Sequence, residues 1–180
     1  MTRLQLAIIS PVASAGVLFA LGLFSPPQRV MSALPTDVAV PADNPTTPEK
    51  IALGRLLFWD PILTGPKDVA CATCHHPDLG YADDRDLSIG VNGTGLGAAR
   101  SFVAGHPAHF VKRNSQTVLN SAFNGISAAG HYAPADAPMF WDARVRSLET
   151  QALEPIKALE EMRGNTRGVR AFVGDHERAL

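Results

Sequence analysis

An all-α domain with long loops is the fold class this sequence predicts, and three observations predict it. Apolar residues recur at helical spacing in "TPEKIALGRLLFWDP", at 47–61. No run of β-branched and aromatic residues is long enough to read as a useful strand. The stretch 77–105 contains Gly80, Gly90, Gly93, Gly95 and Gly97, is rich in Asp and lacks alternation, so it reads as loop.

The elements follow in order. Residues 1–24, "MTRLQLAIISPVASAGVLFALGLF", carry one early positive charge, Arg3, and then an apolar run from Leu4 to Phe24 broken by small residues and Pro11. This is the pattern of an export segment, either a cleaved signal peptide with a processing site near Ser32 and Ala33 or an uncleaved membrane anchor. Residues 25–46 hold Pro26, Pro27, Pro35, Pro41 and Pro45 among Ser, Thr and Ala, and read as an extended linker. The folded domain is expected to be 47–180.

Its first helix has a start and a stop. Thr47 can cap, Pro48 takes the first helical position where its missing N–H costs nothing, Glu49 complements the dipole, and Pro61 ends the run. Ile51, Leu53, Leu56, Leu57 and Phe58 give it an apolar face, expected to be core. "RNSQTVLNSAF" follows the glycine-rich loop, and "MFWDARVRSLETQALEPIKALEEM" predicts a short helix at 147–153, capped by Asp142 or Ser147 and broken near Pro155. The last segment, "RGVRAFVGDHERAL", begins another helical pattern and runs to Leu180.

Composition excludes one class of partner. With 46% hydrophobic residues and a net charge of -1, the chain reads as a soluble globular protein. Its Lys and Arg residues alternate with Asp and Glu, so no basic stripe exists to track a nucleic acid backbone.

Both cysteines and two of the six histidines fall within "CATCHH", Cys71 to His76. Two cysteines three apart and followed at once by histidine form the attachment signature of c-type haem. Each thiol adds to one vinyl group of the porphyrin to give a thioether, and the adjacent imidazole is thereby held under the iron. Cys71, Cys74 and His75 take those roles, with His76 as a loop residue. Three other readings stand beside this one. A thioredoxin-like redox pair would want a surrounding βαβ pattern, a zinc site would draw on His106 and His109 at an unusually short separation, and a disulfide would close only a short loop. Haem also suits the folding problem: a loop-rich domain has a modest core, and a porphyrin adds a large apolar surface for it to pack against. The haem-free chain is expected to be poorly folded.

Four motifs in order, "LGRLLFWDPILTG", "CATCHHPDLGYAD", "RNSQTVLN" and "MFWDARVRSLETQALEPIKALEEM", resemble the N-terminal haem domain of the bacterial di-haem cytochrome c peroxidases and their methylamine-utilisation-type relatives, over 49–162. The resemblance implies a cytochrome c-like small helical domain with long loops around one covalently attached haem. It implies a peroxidatic haem with His75 as proximal ligand, Trp141 between two haems, Gln151 and Glu161 lining the peroxide pocket, and Asn114 helping to hold a calcium ion at a domain boundary. Read without it, Trp141 is core, Glu161 a solvated helix residue and Asn114 a turn former. Hydrogen peroxide and a small electron-donor redox protein become the implied partners, together with a second haem domain; the implied compartment is the periplasm, reached by signal peptide or with a tether to the inner membrane. Peroxide cleavage needs a group that takes a proton from one oxygen and returns it to the other, and Glu161 would serve if burial raised its pKa, with Gln151 orienting the peroxide.

Two departures refine this. Members that need reductive activation close the iron with a distal histidine in a stretch like "SIGHG", whereas this chain reads "SIGVNG" with Val91 at that place. An alkyl group cannot ligate iron, so an open site is expected unless His106, His109 or His131 reaches in. The sequence also contains no second C-x-x-C-H, so the 47–180 domain is expected to be truncated before a second haem domain. The alternative function is a mono-haem cytochrome c acting only as an electron carrier, with Met139 or Met162 as sixth ligand.

Overall fold

The computed structural model describes residues 33–106, 109–127 and 129–164, and the elements below all lie within the unit Thr36–Leu180. Among these residues the regular structure is three α-helices, several short 3-10 turns and two small antiparallel strand pairs. The all-α expectation is therefore overturned. Strands β1, Gly93–Thr94, and β2, Ser101–Phe102, pair with Gly93 opposite Phe102; β3, Pro138–Met139, and β4, Val145–Arg146, pair with Met139 opposite Val145. Strands this short have no alternation to read. What creates them is the chain doubling back within a loop, which is a tertiary event.

Helix α1, Pro48–Trp59, begins as its sequence requires: the Thr47 side chain accepts from the Lys50 N–H at 3.3 Å and Pro48 occupies the first turn. Asp60 closes it, and the Asp60 carboxylate then accepts from Ile62 N–H at 2.8 Å to start the 3-10 turn Pro61–Leu63. The expected core face of α1 is a correction. Leu53, Leu57 and Phe58 are half-buried, Ile51 and Leu56 are more than half exposed, and no residue of α1 is fully buried. Apolar residues surround most of the α1 axis, so recurrence alone could not select a buried side.

Helix α3, Leu148–Lys157, is capped by Ser147, whose hydroxyl accepts from Thr150 N–H at 3.3 Å. Its predicted break also needs correcting, because Pro155 lies inside the helix. Proline removes one N–H and crowds the preceding turn; so near the C-terminal end the helix tolerates it and runs on to Lys157.

The core gathers Leu63, Val69, Val91, Ile156 and Met162, against which Leu57 and Ile62 pack. Its framework is the segment 88–91, whose Ile89, Val91 and Ser88 are the largest fully buried side chains. Buried Arg100 holds that segment from within: Nε donates to Ile89 O at 2.7 Å, Nη2 to Gly90 O at 2.8 Å and Nη1 to Gly95 O at 3.0 Å. The predicted loop 77–105 is thus a set of short turns and strands organised around one guanidinium. The expected export segment 1–24, linker residues 25–32 and the terminal helical pattern at 167–180 lie outside the described residues, while the rest of the linker, 33–46, has no helix or strand.

Candidate functional site

Helix α2, Cys71–Cys74, is a single turn made stable by local bonds. The Thr73 hydroxyl accepts from Ala70 N–H at 3.0 Å, and His75 N–H donates to Cys71 O at 3.0 Å. At helical spacing Cys71 and Cys74 share one side of this turn, and His75 follows it as the C-cap. Both thiols are free. Burial pushes the Cys71 thiol up, and burial together with the charge of Asp83 pushes Cys74 up to about 12. Neither is thiolate near neutrality, which argues against the redox pair, whose attacking thiol needs a depressed pKa. Neither the disulfide nor the zinc reading gains support: the thiols are unpaired, and the described residues contain no cluster of three or more His, Cys, Asp or Glu side chains able to hold a metal ion.

His75 is fixed by the turn that follows it. The 3-10 turn Pro77–Leu79 ends at Gly80 (φ 68), and Tyr81 (φ 58) is also left-handed, so the chain reverses and Tyr81 N–H donates to His76 O at 2.9 Å. The reversal brings the Tyr81 carbonyl to 3.2 Å from His75 Nδ1. A carbonyl can only accept, so Nδ1 carries the proton and Nε2 keeps a lone pair. Burial lowers the His75 pKa, opposed by the carbonyls of Tyr81 and Gln116, which keeps the imidazole neutral at pH 7. This donor set fits haem c: two unpaired thiols one helical turn apart and a neutral imidazole directly after them, the ring oriented through its other nitrogen as iron ligands require.

Glu161 is joined to the loop after α2 through the backbone. Val91 N–H donates to Glu161 O at 2.9 Å, and a Cβ on Gly90 would collide with the carbonyl oxygens of Glu160 and Glu161, so only glycine permits this approach. Burial raises the Glu161 pKa, and the neighbouring charge of Glu160 adds to the shift. The Glu161 charge is also felt at Cys74. Glu160 is held low by its own backbone N–H and by Lys112, which it meets at 3.2 Å.

A second group forms where "RNSQT" meets "FWDAR". The Trp141 indole N–H donates to Asn114 O at 3.1 Å, and Arg113 pairs with Asp142 at 2.8 Å. Desolvation pushes the Asp142 carboxyl up, but hydrogen bonds from Arg144 and Arg113 outweigh it and hold the group at about 2. The Asn114 amide donates to Asp83 O at 2.9 Å and Arg85 O at 2.7 Å, clamping the loop after the haem motif. Phe140, Ala143 and Ser147 are all left-handed, with φ of 67, 53 and 64. Three strained non-glycine residues so close together present Trp141 at the surface, 65% exposed, which sets aside the reading of Trp141 as core.

Not every expected residue joins a group. Gln151 is half-buried on α3, and among the described residues no hydrogen bond ties its side chain to Glu161 or Trp141. Val91 is core rather than cavity wall. Met162 is in the same core, and Met139 is buried with its Sδ 3.8 Å from the Asn124 amide, so both thioethers are used in packing and neither supports the electron-carrier alternative. His106, His109 and His131 are exposed. Tyr81 and Arg100 are the functional residues that sequence reasoning missed. The first acts through a carbonyl, which every residue has, and the second bonds to carbonyls rather than to an acid.

The family model for the di-haem cytochrome c peroxidases matches residues 48–178. The chain is 37% identical over 162 residues to cytochrome-c peroxidase IdrP1 of Pseudomonas sp. (strain SCT), covering 90% of this chain and 35% of the relative. It is 37% identical over 128 residues to the methylamine utilization protein MauG of Methylorubrum extorquens, covering 71% of this chain and 29% of the relative. Among solved structures, a MauG-like protein associated with microbial copper homeostasis superposes with a TM-score of 0.55 at 26% identity, over 87% of this chain and 36% of that one. The chain spans about a third of the length of the curated relatives it matches. On the match over 48–178 and these identities, the chain belongs to the di-haem cytochrome c peroxidase family, whose cofactor is haem c.

Proposed function

We propose that this chain contributes the peroxide-reacting haem centre of a cytochrome-c peroxidase. The observation that carries this is Cys71 and Cys74 one turn apart on α2 with His75 as its C-cap, the His75 ring aimed by Tyr81 O. Haem c would supply an iron able to exchange electrons with peroxide. Cys71 and Cys74 would hold it through two thioethers, and His75 Nε2 would be the proximal ligand. Val91 offers no ligand at the place where reductively activated relatives carry a histidine, so the resting protein is expected to lack a bis-histidine spectrum.

Glu161 would move the proton. Its pKa, raised by burial, would make it a better proton acceptor than an exposed carboxylate, able to take a proton from one peroxide oxygen and return it to the other. Gln151 would orient the peroxide. Trp141, exposed and fixed by Asn114, would receive electrons from a second haem domain and pass them to this one, and Asn114 would help hold a calcium ion at that boundary. Electrons would come from a small redox protein. An apolar export segment and covalent haem attachment, which bacteria carry out beyond the cytoplasm, support a periplasmic site; the described residues include no helix long and apolar enough to cross a membrane.

The test is to mix the haem-loaded chain with hydrogen peroxide and follow the Soret band, then repeat with Glu161→Gln. A rapid band shift, slowed by about a hundredfold in the variant, is the expected result. An unresponsive Soret band would remove the peroxidase reading, and equal rates would remove Glu161 from it.

A further inference from the structure

We propose that Trp59 is a one-electron relay between the protein surface and the haem that His75 would hold. The proposal rests on the haem reading above but concerns a residue outside the peroxide pocket. Trp59 is the last residue of α1 and is 50% exposed. Its indole meets the His76 ring edge-on, with centroids 5.7 Å apart, and His76 is one peptide bond from His75. A second route leaves the indole through Phe58. Trp59 meets Phe58 at 5.8 Å, Phe58 meets Tyr81 at 6.3 Å, and Tyr81 O accepts from His75 Nδ1 at 3.2 Å. The first route reaches His75 through the backbone and the second reaches its imidazole through a hydrogen bond. A cavity of about 420 Å³, whose lining includes Trp59, Ala72, Thr73 and His76, opens beside the indole.

The other indole is placed differently. Trp141 makes a hydrogen bond to Asn114 O but has no ring partner among the described residues. The chain therefore has two tryptophans, of which Trp59 alone is wired through aromatic contacts to the haem-binding turn.

In the step proposed, the Trp59 indole would lose one electron towards the turn that holds the haem, the bound group supplying the oxidising power. The indole gives its N–H proton to water, and a one-electron donor at the surface then returns the electron while water returns the proton. Two such transfers supply the two electrons with which hydrogen peroxide, taking two protons, becomes two waters. An edge contact with His76 that only pinned α1 to α2 would need a ring at position 59 but not an oxidisable one, and this difference is testable.

The experiment starts from the ferrous haem-loaded chain and needs no peroxide. Ruthenium(III) tris-bipyridyl, generated by a flash, oxidises surface indoles by one electron, and haem oxidation is followed at the Soret band. Trp59→Phe is expected to slow haem oxidation about tenfold, and Trp59→Tyr, which restores an oxidisable ring, to recover the rate to within about twofold. Melting temperatures of both variants are measured alongside, since a packing role alone would leave the Phe and Tyr variants alike in rate. Haem oxidation in Trp59→Phe as fast as in the parent, or in Trp59→Tyr as slow as in Trp59→Phe, would overturn the relay. Failure of the peroxidase reading would show separately, as an unresponsive Soret band when peroxide is added.

Discussion

Gly90 makes one of the tightest backbone contacts among the described residues, against Glu160 and Glu161. The carbonyl oxygens of Glu160 and Glu161 occupy the space a Gly90 side chain would need. Gly90→Ala is therefore expected to destabilise the haem-loaded protein by about 1–3 kcal/mol, the usual cost of overpacking, measured by denaturant unfolding. Glu161 itself favours its protonated form in the fold. Its contribution to stability is fully present below the unfolded pKa of 4.5 and is lost as pH rises through the raised folded value. Glu161→Gln is expected to flatten that fall, read as a smaller drop in melting temperature from pH 4 to pH 8; an unchanged slope would contradict the burial argument. How much of this was legible depended on chemistry per residue. Cys71, Cys74 and His75 declare themselves by spacing, because thioether attachment demands those side chains at those intervals. Tyr81 and Arg100 act through or upon backbone carbonyls, and no residue type encodes a carbonyl's position.

Helix starts were readable because capping is local. Thr47 and Ser147 each place a hydroxyl where the first turn has unpaired N–H groups, and Thr47→Ala is expected to cost about 1 kcal/mol, again by unfolding. The strand pairs were not readable, since two residues carry no period and their pairing is set by the loops they close. Nor was the left-handed trio in "MFWDARVRS", for Phe140, Ala143 and Ser147 are not residues that signal positive φ. Ala143 (φ 53) offers a direct test of that strain. Ala143→Gly is expected to stabilise the segment by up to about 1 kcal/mol, against the loss that glycine brings in unstrained backbone. A loss of stability would show that the segment is not strained at this position.

Taken whole, the described residues form a small core around Arg100 and the 88–91 segment, while Trp59, Trp141 and Leu159 keep half or more of their surface accessible. A domain with so little buried apolar area gains substantially from a large apolar group seated in it. The haem-free chain is accordingly expected to melt broadly or not at all, and a sharp cooperative transition without haem would contradict this. The family membership bears on the same point, because the family's cofactor is haem c and the chain covers about a third of its curated relatives. Everything proposed for Glu161, Trp141 and Trp59 presupposes a porphyrin bound to the turn Cys71–Cys74. The intact mass of the protein, recovered from a host that attaches haem c, is expected to exceed its polypeptide mass by one haem that survives denaturation and is lost in Cys71→Ala/Cys74→Ala. A mass equal to the bare polypeptide would contradict the account.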